Sequence, residues 1–175
     1  MSQYIRSHVP GGTFFFTVAL LERRRSLLTD HIDDLRAAFR EVRRRRPFEM
    51  GAVVVLPDHL HCLWKLPPDD ADFSTRWRLI KTRFLNSLPT TEHLSERRQL
   101  KGERGIWQRR FWEHTIRDEA DYAAHVDYIH FNPVRHGYAR RPVDWPHSSI
   151  HRFIVEGLLT PDWAAGPDID RLSYE

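Results

Sequence analysis

Hydrophobic and polar positions along this chain follow two different periods. Short β-branched or aromatic runs bounded by Gly, Pro or Asp predict strands at 13–20, 51–56, 59–66 and 106–116. Apolar residues at helical spacing predict helices at 30–45, 72–86 and 119–131, with a short one near 147–157. Residues 89–105 are polar and contain two glycines, which is typical of a surface loop. The order β-α-β-β-α-β-α predicts an α+β fold, with helices packed on a ferredoxin-like or RRM-like antiparallel sheet.

The third predicted strand alternates between an apolar face and a mixed face. The apolar face carries Leu60, Cys62, Trp64 and Leu66, and the mixed face carries His59, His61, Leu63 and Lys65. Two imidazoles on one side of a strand can bind one metal ion together. The apolar face accounts for the core without the histidines, although this spacing also suits surface or packing histidines. Two ligands do not complete a metal site, so a third must come from elsewhere.

The helix at 119–131 offers a candidate third ligand. Its apolar stripe is Tyr122, Val126 and Ile129, which is expected to face the sheet. Tyr128 is rotated by about 100° from Ile129 and therefore lies off that stripe. Asn132 lies four positions later on the same side, at the helix end because a proline follows. Taken alone, a partly buried aromatic residue and a helix cap are the simpler interpretations of these two side chains.

Composition indicates one ordered domain, or one domain with a tail. The 175 residues are 41% hydrophobic and 12% aromatic, which is typical of a globular protein. The net charge is +3 and the pI is about 9.3, which favours a polyanionic partner but also fits solvated arginines. On the predicted helix at 72–86, the cations off the apolar stripe are Arg76, Arg78, Lys81 and Arg83.

Several classes of protein are excluded by missing motifs. Cys62 is the only cysteine, so neither a disulfide framework nor a cysteine-based zinc site is available, and a reducing cytosol is the natural setting. The apolar run at 13–21 is too short to span a bilayer, and its flanks do not suit a signal peptide. The chain has no Walker-type loop, no Gly-x-Ser-x-Gly elbow and no His-Glu-x-x-His motif.

The remaining chemistry is that of an assisted tyrosine. A phenol has a pKa near 10 and is a weak nucleophile at neutral pH. A divalent ion on a scissile phosphate withdraws charge from the phosphoryl oxygens and aligns the attack. Two imidazoles and one carboxamide would leave open positions on the ion for those oxygens. Mg²⁺ or Mn²⁺ is the expected ion, although imidazoles also accept zinc.

Taken together in order, these segments resemble a known family. PGGTFFFTVALLERR, VVLPDHLHCLWKLP, RWRLIKTRF, WQRRFWEHTIRDEADY, HVDYIHFNPVRHGY and DWPHSSIHRF cover most of the chain. They are similar to segments of the REP-associated tyrosine transposases, relatives of the IS200-like single-tyrosine HUH transposases. The resemblance implies an HUH endonuclease fold, with His59, His61 and Asn132 as metal ligands and Tyr128 as nucleophile. The usual asparagine before the histidine pair is Asp58 here, which leaves the ligands intact and adds a carboxylate.

The resemblance also implies an activity and a partner. Such enzymes cut single-stranded DNA through a 5′-phosphotyrosine and release a 3′-OH that can attack in the reverse step. Their substrates are hairpins of repetitive extragenic palindromes (REPs) with a short guide tetranucleotide beside the hairpin foot. We therefore expect a catalytic domain at 1–137, a C-terminal extension at 138–175 packed on it, a monomer, and a cytoplasmic location at the nucleoid.

Candidate DNA contacts are less specific than the catalytic set. The segment expected to read the tetranucleotide contains Tyr4, Arg6 and His8. Candidate phosphate contacts are Arg78, Lys81, Arg109, Arg110, His114, Arg117 and Arg135. Trp107 and Trp112 could stack on unpaired bases, or belong to the core. Two other functions stay open: a non-catalytic REP-hairpin-binding protein on the same scaffold, and a metal-dependent RNase or phosphodiesterase without a tyrosine adduct.

Overall fold

The computed structural model describes residues 6–23, 25–89 and 104–165. Its elements in chain order are β1 (Thr13–Ala19), α1 (Leu27–Asp30), α2 (Ile32–Arg45), β2 (Glu49–Val55), β3 (His59–Lys65), α3 (Phe73–Ser87), β4 (Trp112–Thr115), α4 (Glu119–Arg135), a 3-10 turn (Pro142–Asp144) and α5 (Ile150–Val155). Tyr4, most of the predicted 89–105 loop and the end of the predicted extension lie outside the described residues. No helix in the described ranges is both long enough and apolar enough to cross a membrane.

The four strands form one antiparallel sheet in the order β2-β3-β1-β4. With α2 between β1 and β2, and α3 between β3 and β4, this is the ferredoxin-like arrangement. The predicted α+β fold is therefore confirmed. β1 pairs with β3 on one side and with β4 on the other, so residues facing one side of β1 lie beside residues of both neighbours.

Each face of the sheet packs against different helices. Phe14, Phe16 and Trp64 are fully buried on the face that α2 and α3 cover. Phe15 and Leu63 are fully buried on the opposite face, together with the apolar side chains of α4. This division follows from strand alternation, because neighbouring residues of a strand point to opposite sides. The central strands are thus buried on both faces, and the mixed face of β3 lies under α4.

Three predicted boundaries differ from the structure. The predicted helix at 30–45 is α2, which begins two residues later, and the short α1 before it was not predicted. The predicted strand at 106–116 contains only the four residues of β4. Within that segment, Trp107 makes an isolated bridge to Leu20. α4 does not end before Pro133 but continues to Arg135. The proline removes one backbone donor, but the helix continues because the His136 amide donates to the Asn132 carbonyl and the Tyr138 amide donates to the Pro133 carbonyl.

Arg76 corrects the prediction that the cations of α3 all lie on its outer face. Its side chain is 1% exposed, and it donates to the Asp70 carboxylate and to the carbonyl oxygens of Arg46, Pro47 and Asp72. A guanidinium is tolerated in the interior when its donors are satisfied in this way. Arg76 therefore joins the start of α3 to the end of α2 and is not available to DNA.

The segment after α4 covers the edge strand β2. The Val55 amide donates to the His147 carbonyl, and the Ser149 amide donates to the Val53 carbonyl. The Trp145 indole N–H also donates to the Val55 carbonyl at 2.9 Å. An uncovered edge strand is a template for pairing with another chain. Residues 145–149 occupy this edge from within the same chain.

Candidate active site

α4 presents a polar stripe to the sheet. Asp121, His125, Tyr128 and Asn132 recur at spacings of four, three and four residues, and all four are buried. Tyr128 is 1% exposed and packs in the cluster that contains Phe15. The prediction that Tyr128 lies off the buried stripe is wrong. α4 is covered by the sheet and also contacts Trp145 and Phe153 of the C-terminal segment, so more than one of its stripes is buried.

The histidine pair and the tyrosine meet on this face. The ring centroids of His61 and Tyr128 are 5.2 Å apart, with the rings nearly perpendicular at 77°. The His59 and His61 rings are 5.0 Å apart. Asn132 is one helical turn beyond Tyr128 and is completely buried. Two segments almost seventy residues apart in sequence are thus brought to one place by the pairing of β3 with β1 and the docking of α4.

Hydrogen bonds orient both imidazoles. Nδ1 of His59 donates to the Asp58 carboxylate at 2.7 Å, and Nδ1 of His61 lies 2.9 Å from the Thr17 hydroxyl. An oxygen partner on one ring nitrogen leaves the other with its lone pair, which is how proteins hold metal-ligating histidines. Asp58 also forms an ion pair with Arg23. The Asp58 carboxylate therefore orients His59.

Unsatisfied polar atoms mark the same place. Among the described residues, Nε2 of His59, Nε2 of His61 and both carboxamide atoms of Asn132 are buried without a hydrogen-bond partner. Buried polar atoms without partners are uncommon, because each costs on the order of 1–3 kcal/mol. Two imidazole nitrogens and a carboxamide oxygen are suitable ligands for a divalent ion. The residues present therefore fit a metal ion at this position.

The electrostatics favour neutral imidazole at His61. Burial lowers the pKa of His61 well below its usual value, and the nearby guanidinium groups of Arg23 and Arg135 lower it further. Burial alone would raise the pKa of Asp58, but hydrogen bonds and charge from His59 and Arg23 lower it overall. His61 is therefore unprotonated at neutral pH, while the Asp58 carboxylate is charged.

Two cationic or basic side chains flank the site at the end of α4. The Arg135 guanidinium carbon lies 5.5 Å from the centroid of the Tyr128 ring. The His136 ring lies 5.0 Å from the His59 ring. Arg135 was among the predicted DNA contacts, whereas sequence reasoning missed His136. Its spacing, four residues after Asn132 and eight after Tyr128, is the signal that could have identified it.

Several predicted DNA contacts line one groove beside α3. The groove has a volume of about 480 Å³, and its lining includes Arg6, Arg78, Lys81 and Arg109. Its walls include aromatic side chains, with Lys81 5.6 Å from the Trp107 ring and 5.5 Å from the Phe111 ring. Burial and the charge of Arg6 lower the pKa of Lys81 to about 8. His8 is exposed and lines a neighbouring cavity with Arg6.

The other predicted contacts lie near β4 and the start of α4. Arg110 is exposed. Asp121 accepts hydrogen bonds from His114 at 2.9 Å, and from the amide and the Nε of Arg117 at 3.0 and 3.2 Å. Potential metal-ligand atoms of His114, Asp121 and His125 also lie within 4.8 Å of one another. This group is separate from the His59–His61 pair, and the sequence did not predict it.

A ferredoxin-like sheet that carries a histidine pair opposite a helix-borne tyrosine is the arrangement of the single-tyrosine HUH class. Comparison with known proteins agrees with this class. Residues 15–132 match the family described as "Transposase IS200 like". A "REP-associated tyrosine transposase" of Escherichia coli (strain K12) is 49% identical over 164 residues, covering 94% of this chain and 92% of the relative.

A relative from Haemophilus influenzae (strain Rd) is 45% identical over 170 residues, 97% of each chain. A solved structure, described as a REP-associated tyrosine transposase bound to a REP hairpin, superposes with a TM-score of 0.82. That match has 49% identity and covers 95% of this chain and 93% of the other. The chain belongs to the IS200-like transposase family, and within it to the REP-associated tyrosine transposases.

Proposed function

We propose that this transposase is a metal-dependent single-strand DNA endonuclease and strand transferase that acts on REP hairpins through a 5′-phosphotyrosine. The contact between Tyr128 and His61, beside three buried ligand groups without partners, is the observation that carries this proposal. A protein that only binds hairpins has no need for a tyrosine beside two imidazoles and a carboxamide that suit a divalent ion. The described relatives, one of them bound to a REP hairpin, support the choice of substrate.

The proposed chemistry is a transesterification. The Tyr128 hydroxyl oxygen forms a bond to phosphorus, the bond from phosphorus to the 3′ oxygen breaks, and the phenol proton ends on that leaving oxygen, which becomes the 3′-OH. The DNA segment that begins with the cleaved phosphate stays attached to Tyr128. Attack by a 3′-OH on this ester reverses the step and joins strands. The Arg135 guanidinium, beside the Tyr128 ring, contributes positive charge near the phosphate.

His59, His61 and Asn132 would hold the ion, which we assign to Mg²⁺ or Mn²⁺ in view of the open positions that a phosphate needs. When bound, such an ion withdraws charge from the phosphoryl oxygens. The contacts of Nδ1 with Asp58 and Thr17 hold the two imidazoles in place and leave both Nε2 atoms for the ion. Tyr128 is 1% exposed, so its packed neighbours limit the movement of the phenol.

The groove beside α3 is the proposed binding site for the single-stranded DNA that flanks the hairpin. Arg6, Arg78, Lys81 and Arg109 line it together with aromatic side chains, a combination that suits the backbone and bases of a single strand. We assign the guide tetranucleotide to this groove. His114, Arg117 and Arg110 lie toward the start of α4, where they would contact phosphates nearer the cleavage position.

Residues 138–175 are proposed to be an extension of the catalytic domain rather than a separate domain. The contacts of residues 145–149 with the edge of β2 support this, since they remove the strand edge through which two sheets would join. The expected state is a monomer. Sedimentation of the full chain with and without a REP hairpin tests it, and a stable dimer would contradict it.

A labelled REP hairpin tests the chemistry directly. Wild-type protein with Mg²⁺ or Mn²⁺ is expected to give a denaturation-resistant adduct that carries the 3′-end label, while the 5′-end label appears on a free fragment ending in 3′-OH. Tyr128→Phe is expected to give no adduct. Tyr122→Phe is the matched control, since it removes a phenol from the same helix away from the histidine pair, and it is expected to retain the adduct.

Each other outcome points to a different function. An adduct from Tyr128→Phe would exclude Tyr128 as the nucleophile. Turnover without any adduct would indicate a metal-dependent phosphodiesterase. Tight and salt-sensitive hairpin binding without cleavage, in either metal, would indicate a binding protein on the same scaffold.

A further inference from the structure

Three parallel rings form a stack that begins in the interior and ends at the surface beside the active site. The His125 and His114 rings are 4.8 Å apart with an interplanar angle of 15°. The His114 and Trp112 rings follow at 6.0 Å and 6°. His125 is completely buried, whereas Trp112 is 38% exposed, an unusual exposure for a tryptophan on a strand. The stack therefore presents an indole to solvent.

The stack lies on the catalytic face of the sheet. In the strand register Trp112 pairs with Thr17, and Thr17 pairs with His61, so these three residues form one row across β4, β1 and β3. Strands are about 4.8 Å apart, which puts Trp112 roughly 10 Å from His61. The Phe15 ring lies between the two regions, 5.8 Å from Trp112 and 5.9 Å from Tyr128.

Asp121 holds the stack rigid. Its carboxylate accepts from Nε2 of His114 at 2.9 Å and from the Arg117 amide at 3.0 Å. Nδ1 of His125 donates to the Asp121 carbonyl at 2.7 Å. These bonds tie β4, the following turn and the start of α4 together. Hydrogen bonds from His114 and Arg117 lower the pKa of Asp121 although burial opposes this, so the carboxylate stays charged.

The same residues resemble a metal site, but their hydrogen bonds argue against one. The His125 nitrogen that faces the carboxylate lies 2.7 Å from a carbonyl oxygen, and therefore carries a proton rather than a lone pair. The Arg117 guanidinium contacts the same Asp121 oxygen as His114, and its positive charge would repel a cation. The geometry is that of a hydrogen-bonded support.

We propose that the ring stack of Trp112, His114 and His125 is a platform on which an unpaired nucleobase stacks, one that flanks the phosphate attacked by Tyr128. This inference rests on the proposed function and names a part of the substrate that the catalytic residues do not contact. Every base has a π-face, so an aromatic platform holds the strand with little dependence on sequence. Asp121 acts as a positioning residue, since it holds His114 and through it orients the indole without touching DNA.

Fluorescent DNA can locate the stacked base. The protein is Tyr128→Phe with a chelator present throughout, so that neither cleavage nor an ion contributes. The probe is a REP hairpin with single-stranded flanks, in which 2-aminopurine replaces one flanking nucleotide at a time. Quenching is expected at one or two positions next to the cleavage site. Trp112→Ala is expected to remove this quenching and to weaken binding of the flanked hairpin about tenfold.

Matched variants separate stacking from general effects. Trp112→Phe keeps an aromatic face and is expected to retain most of the quenching, whereas Trp163→Ala removes a tryptophan from the C-terminal segment and is expected to change nothing. The hairpin without flanks is expected to bind Trp112→Ala as tightly as the parent. His114→Ala is expected to reduce quenching partly, because the indole loses its parallel neighbour.

Unchanged quenching and affinity in Trp112→Ala would overturn the platform. So would quenching that is absent with the chelator and appears only when zinc replaces it, since His114, Asp121 and His125 would then be a metal site. The adduct assay on wild-type protein is independent of these measurements. An adduct with no platform signal removes the platform alone, and a platform signal with no adduct removes the proposed catalysis alone.

Discussion

The two faces of the sheet bury different kinds of side chain, although the same strands supply both. From β1 and β3, the face under α2 and α3 receives Phe14, Phe16, Leu60, Cys62 and Trp64, all completely buried. The face under α4 receives Phe15 and Leu63, but also His59 and His61. Adjacent residues of one strand therefore have different roles: one side chain packs in the core, and the next is a candidate for metal binding.

The difference has an energetic consequence. Buried apolar contacts stabilise the fold, whereas each unsatisfied imidazole or carboxamide group destabilises it by on the order of 1–3 kcal/mol. The unsatisfied imidazole and carboxamide groups under α4 therefore oppose folding, and the apolar burial on both faces supplies the stability that permits them. Substitutions of the polar residues under α4 are expected to change catalysis, whereas substitutions on the opposite face are expected to change the free energy of unfolding.

The largest expected effect is the loss of catalysis in His61→Ala. This change removes one proposed ligand, so the covalent adduct is expected to fall to background in either metal. The free energy of unfolding is expected to stay within about 2 kcal/mol of wild type, because losing an unsatisfied buried nitrogen offsets part of the cavity cost. Adduct yield and urea unfolding measure the two quantities. An unfolded His61→Ala variant would show that this side chain is needed for stability, and would contradict the difference between the two faces.

Trp64→Ala examines the opposite face. The indole is stacked 4.1 Å from the Phe48 ring and 4.4 Å from the Trp77 ring. Its removal is expected to lower the free energy of unfolding by about 3–5 kcal/mol. Lys65→Ala, one residue later and exposed, is expected to change it by less than about 0.5 kcal/mol. Equal losses of stability in Trp64→Ala and Lys65→Ala would contradict the assignment of Trp64 to the core and of Lys65 to the surface.

His130 predicts a pH dependence of stability. Burial lowers the pKa of His130 to about 4, with further contributions from Arg152 and His151. The unfolded chain, with a histidine pKa near 6.5, then binds protons first, so this contribution is lost as pH falls from about 6.5 to about 4 and amounts to roughly 3 kcal/mol. His130→Gln is expected to flatten the unfolding free energy over that window, while His8→Gln leaves the slope unchanged.

Asp58, directly before β3, tests whether metal affinity depends on the orientation of His59. Asp58→Asn keeps an oxygen that accepts from Nδ1 of His59, and Mn²⁺ affinity is expected to stay close to that of the parent. Asp58→Ala removes the acceptor, and the affinity is expected to fall about 10–100-fold, as is usual when a partner of a ligating histidine is lost. Calorimetric titration of Mn²⁺ into Tyr128→Phe protein measures both. Equal losses in the two variants would assign the effect to charge rather than orientation.

The smallest expected effect concerns Lys81 in the groove. Since the pKa of Lys81 is about 8, its positive charge decreases as the pH rises through that value. Hairpin affinity is therefore expected to fall a few-fold between pH 7 and pH 9. Lys81→Arg keeps the charge and is expected to remove this dependence. Fluorescence anisotropy at constant ionic strength measures it, and a pH-independent wild type would separate Lys81 from the DNA surface.

Much of this arrangement could be predicted from the sequence because it rests on periodicity. Alternation in β3 assigned His59 and His61 to one face, and the strand and helix order predicted the sheet and its helices. Helical spacing could not predict the burial of Tyr128, since it depends on how α4 is rotated on the sheet, where the Tyr128 ring meets Phe15 and His61. The stack of Trp112 on His114 and His125 was also out of reach, because it joins a strand to a helix through tertiary packing.

The length of α4 shows another limit of local reasoning. A proline usually marks the end of a helix, but tertiary contacts hold one more turn beyond Pro133 and place Arg135 and His136 at the site. Similarly, nothing local distinguishes Arg76, which is buried, from Arg78, which lines the groove. Residues of one type at neighbouring helical positions differ in role because the neighbouring elements differ.

The burial of Tyr128 bears on the fate of the intermediate. A phosphotyrosine ester retains the reactivity of the broken DNA linkage, so either water or a 3′-OH can resolve it. At 1% exposure the tyrosine lies where bulk water has little access, and an attacking hydroxyl must be delivered by bound DNA. An ester formed there, as the proposed mechanism requires, would be long-lived toward hydrolysis and reactive toward strand ends. The packing of Tyr128 would then bias the proposed cutting reaction toward rejoining.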